Sequence, residues 1–498
     1  MKPMTRRTLL VGGGAVAGGL ATAKLLREDI PRGRAWPPQV AAPDGATLLD
    51  DASALNPTPV ARHITITEKA DDALIALFRR ELAEAKSEGR PFVVHAARHS
   101  MGGQSLARNA TALTLDQNFL EPDTANGICR VSAGIRWADV IANLDPIGFS
   151  PKVMQSNNDF GVASTFCVNA HGWPVPHSAF GSTVRSLRLM TADGDVVTCS
   201  RSENADLFNM TMGGYGMTGA IIDLEMEMAE NRRLEPTYTP LKGADLGTRF
   251  IEAINSDPAI EMAYGRLDIT IDGFFEDGLL ITYKPAQDQS DLPAASGSGF
   301  LSKAARPIFR AQPGSDRVKR ARWYMETAVS PAIGGGTVTR NSLINEPVVT
   351  LDDRDPTRTD ILHEYFVPPE RFADFVTACR EVIPSSYQEL LNITLRFVDT
   401  DRESWLAYAT TPRIAAVMLF SQEMTLRGEA DMARMTSALI ERVIDLGGAY
   451  YLPYRLHATD RQFLRTYPRS PQFAARKREI DPGLVFTNLM WDRYFAGL

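Results

Sequence analysis

The run from Phe92 to Ser105 carries the densest chemistry in the chain. Phe92, Val93 and Val94 read as a buried strand with Pro91 at its edge. The strand breaks into a loop holding His99, the hydroxyls of Ser100 and Ser105, and the pair Gly102-Gly103. Paired glycines let backbone N–H groups approach an anion closely, because no Cβ intervenes. The stretch therefore reads as a strand that delivers a phosphate-cradling turn. Its glycines do not follow the order Gly-x-Gly-x-x-Gly and no helical pattern follows at once, which argues against a Rossmann unit. Two further small-residue runs lie downstream, Met154–Trp173 and Gly213–Ile222. The second concentrates Gly213, Gly214, Gly216 and Gly219, the mark of a backbone that passes close to another group.

These residues resemble the flavoproteins of the vanillyl-alcohol-oxidase type, the PCMH-type FAD-binding family. Arg98-His99-Ser100-Met101-Gly102-Gly103-Gln104 matches the family's His-Ser-x-x-Gly-Gln loop. The resemblance implies that FAD is the cofactor and that its pyrophosphate lies on Ala97–Gln104. It makes His99 the candidate for a covalent bond to the flavin ring; the alternative is a loop histidine hydrogen-bonded to backbone. Ala133-Gly134-Ile135-Arg136-Trp137-Ala138-Asp139-Val140 is similar to the family's Ala-Gly-x-x-Trp-x-Asp-Val. Gly161 to Thr165 and Asn169-Ala170-His171-Gly172 stand where relatives have Thr-Val-Gly-Gly-Thr and Asn-Ala-His-Gly, with Ala163 and Ser164 replacing the two glycines. Ser164, Thr165, Asn169, His171 and Gly172 are thereby implied as cofactor contacts, and His171 either faces the flavin or braces the loop. Some relatives form a second link through a cysteine before this segment; Met154–Phe160 contains none, so a single link is expected. Gly219 and Ile221 fall in the family's Gly-Gly-x-Gly-x-x-Gly-Val-Ile run, implied to lie against adenine and flavin. Lys477, Asp481, Pro482, Phe486 and Asn488 match the family's closing pattern, which implies a tail folded back onto the flavin domain with Asn488 near the ring.

The substrate side is less explicit. His363-Glu364-Tyr365-Phe366-Val367-Pro368 resembles a recurrent strand of the family's cap. In Asn392–Val398 the residues alternate, with Asn392, Thr394 and Arg396 on one face and Ile393, Leu395 and Phe397 on the other. In the family this sheet roofs the flavin, so Glu364 and Arg396 are either substrate contacts or a surface ion pair. Tyr454 and His457 are either acid–base groups or structural; an imidazole with pKa of roughly 6.5 suits removal of a hydroxyl proton. The reaction implied is two-electron oxidation of a C–H bond beside a hydroxyl by hydride transfer to the flavin, with dioxygen or another acceptor completing the cycle. The expected substrate is a small molecule of the polyol, sugar or lactone class. Two alternatives stand: the same fold with non-covalent FAD acting on a sterol or cytokinin-like amine, and a non-catalytic exported binding protein, which the Ala163-Ser164 departure favours.

The elements that must position these groups point to an α+β protein: a PCMH-type FAD-binding domain, split in sequence, with an inserted antiparallel-sheet-plus-helices cap. Helical spacing over 69–85 places Ala73, Leu74, Leu77, Phe78 and Leu82 on one face. Short strands are expected at Ala112–Leu115, Arg130–Ser132, Arg266–Ile271 and Gly278–Tyr283, a helix at Trp137–Leu144, and a hairpin turning at Asp193-Gly194. The domains expected are residues 61–230 for FAD, 231–440 for the cap, and a returning segment 441–498. Residues 1–23 carry Arg6-Arg7 ahead of an apolar run and read as a twin-arginine export signal, with the periplasm or cell envelope as the expected location; the alternatives are an uncleaved N-terminal anchor and an ordinary Sec signal. Residues 24–60 read as a tether without a core. The chain of 498 residues has a net charge of −7 and no long basic run, which excludes a nucleic-acid binder. Lys303, Arg306, Arg310, Arg317, Lys319, Arg320 and Arg322 form either a solvated helix face or a peripheral contact for an anionic membrane surface. Four cysteines give neither a disulfide framework nor a metal pattern.

Overall fold

The computed structural model describes residues 34–38, 40, 42–69, 71–296, 310–333, 336–348, 355 and 357–498. The expected export signal over residues 1–23 lies outside the described residues, as do Lys303 and Arg306 of the basic cluster.

The FAD-type half begins with three parallel strands, β1 (Arg62–Ile66), β2 (Phe92–His95) and β3 (Thr111–Leu115), in the order β1-β3-β2. Helix α1 (Asp72–Ser87) crosses between the first two. Its start is set by the Asp71 carboxylate, which accepts from the N–H groups of Ala73 and Leu74. Leu74, Ile75, Phe78, Leu82 and Ala85 form its buried stripe, while Ala73 stays exposed; Ile75 takes the place expected for Ala73. An antiparallel sheet follows, built from β4 (Leu120–Asp123), β5 (Ile128–Ser132), β6 (Val184–Met190), β7 (Val196–Ser200) and β8 (Ala220–Glu230) in the order β7-β6-β8-β5-β4. Gly194, at φ +85°, turns the β6–β7 hairpin. Between β5 and β6 lies the short helix α2 (Val162–Cys167).

The cap is one eight-stranded antiparallel sheet: β9 (Arg233–Lys242), β10 (Met262–Leu267), β11 (Asp277–Pro285), β12 (Val338–Thr339), β13 (Arg358–Val367), β14 (Glu389–Val398), β15 (Arg413–Glu423) and β16 (Ala449–Tyr450). Their order is β12-β9-β11-β10-β14-β15-β13-β16. The strand expected at Arg266–Ile271 instead ends at Leu267. There the Asp268 carboxylate accepts from the N–H and hydroxyl of Thr270, at 2.8 and 3.0 Å, and turns the chain. Ile393, Leu395 and Phe397 of β14 pack into a core shared with helices α3 (Leu246–Ser256), α4 (Phe372–Val382) and α5 (Leu426–Asp445). The alternation of β14 therefore turns Asn392, Thr394 and Arg396 to the opposite face.

The chain ends return to the first half. In helix α6 (Ser470–Ile480) Lys477 pairs with Asp481, and the Asp481 carboxylate also accepts from the N–H groups of Val485 and Phe486 at 3.0 and 2.9 Å. Burial moves the Lys477 ammonium down to about 8, with Asp481 opposing the shift. The N–H of Phe92 donates to the carbonyl of Val485 at 2.7 Å, so the tail seats beside β2. Residues 47–60 correct the expectation of a coreless tether. Thr47–Leu49 and Thr58–Val60 pair as a hairpin, and Leu49 and Val60 pack with Val93, Leu106 and Ala112.

Four of the five described residues of the basic cluster are tied to acids: Arg310 to Asp360, Lys319 to Glu389, Arg320 to Asp272 and Asp316, and Arg322 to Glu326; Arg317 has no such pair among the described residues. Cys129, Cys167, Cys199 and Cys379 are free thiols. No helix among the described residues is long and apolar enough to cross a membrane.

Candidate active site

A cavity of about 900 Å³ separates the loops of the FAD-type half from one face of the cap sheet. That volume lies in the upper part of the range of small-molecule sites. Ala97, Arg98, His99, Ser100, Met101 and Gln104 line one wall, together with Ser164, Thr165, Gly219 and Ile221. Asp360, Glu364, Asn392, Thr394 and Arg396 line the other.

The turn after β2 works differently from the way its glycines suggest. The N–H of Gly102 donates to Gln104 Oε1 at 2.9 Å, and that of Gly103 to Asp51 Oδ2 at 2.8 Å. A Cβ on Gly102 would stand 2.4 Å from the Tyr454 carbonyl, and one on Gly103 would stand 2.5 Å from Leu489. Neither glycine lines the cavity; both make room for the returning tail. The N–H groups of Ala97, Arg98, His99 and Ser100 have no protein acceptor among the described residues, so the donors left open to an anion are those at the start of the expected Ala97–Gln104 stretch, ahead of the glycine pair. Arg98, at φ +52°, is held by the Asp50 carbonyl at 3.1 Å and by Thr114 Oγ1 at 3.1 Å. Burial, and then Arg98, push the neighbouring His95 imidazole down to about 3, which keeps it neutral.

Gln104 bridges the turn to the tail, donating to the carbonyls of Leu452 and Tyr454 at 2.5 and 2.9 Å. Asn488, expected near a cofactor ring, does not line the cavity. Its amide donates to the carbonyls of Gln104 and Tyr215 at 2.8 and 3.0 Å and so clamps the turn to the glycine run. Asn169 and Gly172 are likewise behind the wall. Asn169, at φ +47°, accepts from the Gly181 N–H at 2.9 Å and donates to Asp401 at 3.0 Å. A Cβ on Gly172 would meet the Met154 carbonyl oxygen at 1.8 Å. Thr165 Oγ1 accepts from Trp137 Nε1 at 2.9 Å, which ties α2 to the Trp137 helix. Gly216, at φ +73°, lines the cavity, and a Cβ there would meet nothing within 4 Å.

His99 faces the cavity with its Nε2 3.4 Å from Asp159 Oδ2 and its ring 4.3 Å from that of Phe160. Sequence reasoning passed over both partners, although they sit inside the small-residue run it singled out. On the cap side His171 Nε2 lies 2.5 Å from Glu364 Oε1, and the Tyr454 hydroxyl donates to Glu364 Oε2 at 3.1 Å. Arg396 donates to Ser156 Oγ at 2.9 Å and to the His171 carbonyl at 3.3 Å. Burial, then the Glu364 charge, hold the Tyr454 phenol well above its ordinary value. Burial lowers Arg396, and Glu364 opposes that shift. Tyr454 is thus a proton donor and Arg396 a cation at neutral pH.

His457 does not belong to this group. It does not line the cavity; its Nε2 lies 3.1 Å from Glu429 Oε1, beside Arg455, and its ring is 6.1 Å from that of His363. Against the effect of burial, His457 and Arg455 hold the Glu429 carboxyl well below the usual carboxylate range. The cluster is a buried brace between α5 and the tail.

The wall asks for a polar heteroaromatic ligand. Gln155 Nε2, His171 Nδ1, Trp173 Nε1 and Arg396 Nε are buried there with no hydrogen-bond partner among the described residues. Buried polar atoms are seldom left so. Together with the open N–H groups of Ala97 to Ser100 they fit a group that combines phosphates with a ring of acceptors, as FAD does.

Comparison with known proteins agrees. Residues 76–200 match the family described as FAD binding domain. An uncharacterized oxidoreductase of a fasciation locus in Rhodococcoides fascians is 26% identical over 185 residues, 36% of this chain and 42% of that one. L-gulonolactone oxidase of Bos taurus is 27% identical over 121 residues, 24% and 28% of the two chains. Cytokinin dehydrogenase 9 of Oryza sativa subsp. japonica is 30% identical over 130 residues, 25% of each. The chain thus spans less than half the length of these relatives. Residues 76–200 thus form an FAD-binding domain, and the chain is similar to FAD-binding oxidoreductases of the PCMH type.

Proposed function

We propose that this protein oxidises a CH–OH group of a small hydroxylated substrate, of the polyol, sugar or lactone class, and passes the electrons to dioxygen or another acceptor. The observation that carries the reading is the convergence of Glu364, His171, Tyr454 and Arg396 on the cap face of the cavity, opposite the turn. FAD, when bound, supplies the two-electron acceptor for the substrate carbon. Glu364 takes the hydroxyl proton, and His171 at 2.5 Å shares it. Tyr454, kept protonated by its surroundings, donates a hydrogen bond that fixes the carboxylate. Arg396 places a positive charge where the substrate oxygen becomes negative. The rings of Phe366, edge-on, and of Tyr408 and Tyr451, tilted, surround His171 and keep water from it.

We further propose that His99 carries the flavin covalently. Asp159 holds one ring nitrogen, which leaves the other as the nucleophile, and Phe160 fixes the ring plane. The purified protein should be yellow, and its band on a denaturing gel should fluoresce under ultraviolet light. His99→Ala should abolish that fluorescence. A colourless wild-type protein that takes up no added FAD sinks the whole reading; a fluorescent His99→Ala band sinks the link alone. A panel of polyols, sugars and lactones, followed by oxygen uptake and by dye reduction, identifies substrate and acceptor. Export through the twin-arginine route is proposed on residues 1–23 alone; Arg6→Lys with Arg7→Lys should retain the protein in the cytoplasm on fractionation.

A further inference from the structure

A short loop, residues 50–56, touches both walls of the cavity. It joins the paired strands Thr47–Leu49 and Thr58–Val60 and lies outside residues 76–200, the span of the matched FAD-binding domain. Its backbone backs the turn after β2. The Ala52 N–H donates to the carbonyls of Arg98 and Ser100 at 2.9 and 3.2 Å, and the Asp50 carbonyl accepts from Arg98 Nε at 3.1 Å. In a trans peptide the C=O and the following N–H point opposite ways. Pinning the Arg98 carbonyl to Ala52 therefore turns the His99 N–H away from the loop. That N–H belongs to the set, from Ala97 to Ser100, with no protein acceptor among the described residues.

The same loop reaches the cap. Thr359 Oγ1, on β13 with Glu364, donates to the Ser53 carbonyl at 2.5 Å. Arg455 donates to Asn56 Oδ1 at 3.0 Å and to the Met101 carbonyl at 3.3 Å, and pairs with Glu429 of α5. Ala52 itself lines the cavity. One loop thus ties the turn to the strand that carries Glu364.

Asp51 holds the loop in shape. Its carboxylate is buried and gathers donors from both sides. Oδ1 accepts from the N–H and the hydroxyl of Ser53 at 3.0 and 2.6 Å; Oδ2 accepts from the Gly103 N–H at 2.8 Å and from Asn56 Nδ2 at 2.7 Å. Burial pushes the carboxyl up, and the bonds from Ser53 and Gly103 oppose that shift. Ala54 stands at φ +55°, a costly conformation for a residue with a Cβ, and its N–H donates to the Asp51 carbonyl at 3.0 Å. Such strain persists only where the surroundings over-determine it.

We propose that Asp51 is a positioning residue for the cofactor: through loop 50–56 it fixes the turn over 97–103 against the cap, with the open N–H groups presented to the phosphates of FAD. This rests on the reading of those N–H groups as the phosphate donors. Without the carboxylate, the Gly103 N–H and the Asn56 amide lose their acceptor, and FAD must order a turn that the chain otherwise holds ready.

The full-length protein carrying His99→Ala, in which flavin exchanges freely, is titrated with FAD and binding is read from the change in flavin fluorescence. Adding Asp51→Ala should weaken FAD by roughly ten- to one-hundred-fold, the span expected of a buried donor left unpaired. Asp51→Asn should restore most of that loss. Its amide oxygen can keep Gly103 and Asn56, while its NH₂ meets the Ser53 hydroxyl, which can accept. Thr359→Val removes the cap-side bond at nearly constant volume and should weaken FAD in the same sense. With His99 in place, amide hydrogen exchange of Asp51→Ala should quicken across 97–103 and stay unchanged across β6 and β7; a general loss of stability would quicken both. A folded Asp51→Ala that binds FAD within a few-fold of its parent overturns the proposal. So does Asp51→Asn binding no better than Asp51→Ala, or exchange that quickens evenly. If Asp51→Ala does not fold, Thr359→Val decides, and an unchanged FAD affinity there overturns the proposal. A wild-type chain that is colourless and takes up no FAD refutes the cofactor reading instead.

Discussion

Replacing Glu364 with glutamine separates chemistry from folding at the heart of the site. The residue is 3% exposed, and its carboxylate receives His171 Nε2 at 2.5 Å and the Tyr454 hydroxyl at 3.1 Å. A glutamine amide fits the same volume, but only its oxygen accepts. Were that oxygen turned to Tyr454, the amide N–H would face His171 Nε2. The imidazole would then have to carry its proton on Nδ1, which is buried and has no partner, at a cost of roughly 1–3 kcal/mol. Turned the other way, the oxygen keeps His171 and the amide donates to the Tyr454 hydroxyl, which can accept. The second orientation wins. Two charge-assisted bonds become neutral ones, each weaker by roughly 1 kcal/mol, and the relief of a buried carboxylate charge offsets part of that. Glu364→Gln should therefore fold, keep its flavin and lose no more than about 2 kcal/mol in urea unfolding. With the proton acceptor gone, the rate of flavin reduction should fall by roughly 10²–10⁴. Anaerobic stopped-flow measurement of flavin bleaching, on whichever panel substrate reduces the wild type, reads this directly. A glutamine variant that bleaches within a few-fold of the wild type refutes the assignment of Glu364 as the base.

Two further outcomes follow from geometry and charge away from the acceptor itself. Gly172→Ala drives a Cβ to 1.8 Å from the Met154 carbonyl oxygen, which is backbone and cannot rotate aside. It should destabilise the protein by roughly 3 kcal/mol, an overpacking cost, and displace the adjacent His171; an unchanged urea midpoint counts against the packing described. Burial, and then Arg340 and Lys152, push the His177 imidazole down to about 4 from 6.5. A lowered basic pKa means stability that is present above the unfolded value and lost as pH falls toward the folded one. Between about pH 7 and about pH 5 this residue should remove about 2 kcal/mol, a loss that His177→Gln should not show. Parallel pH profiles for the two proteins test it by urea unfolding.

What the sequence made legible was local. The strand-to-turn break after His95 shows in three apolar residues followed by glycines and hydroxyls, and the polar face of β14 in the alternation of Asn392, Thr394 and Arg396. Glu364 and Tyr454 stand out in the sequence, and the structure joins them at 3.1 Å. Distance along the chain hid the rest. Gly102 and Gly103 read as an anion cradle because the residues that crowd them, Tyr454 and Leu489, come some 350 to 390 positions later. His457 has the right chemistry for a base and the wrong neighbours, which Glu429 and Arg455 decide. In the sequence Arg266 reads only as the start of a strand, since nothing local says that its cross-strand partner is Thr394. The hairpin at Thr47–Val60 escaped notice because its few apolar residues are scattered among Pro, Ala and Asp.

The clasp between turn and tail orders events in the life of the chain. Met101 bonds Pro453, Gln104 bonds Leu452 and Tyr454, and Asn488 bonds Gln104. A nascent polypeptide still threaded through the ribosome has the first wall of the groove but not the residues that close it. Closure of the groove therefore waits for the tail, and a messenger truncated ahead of codon 488 should yield a chain that takes up no FAD.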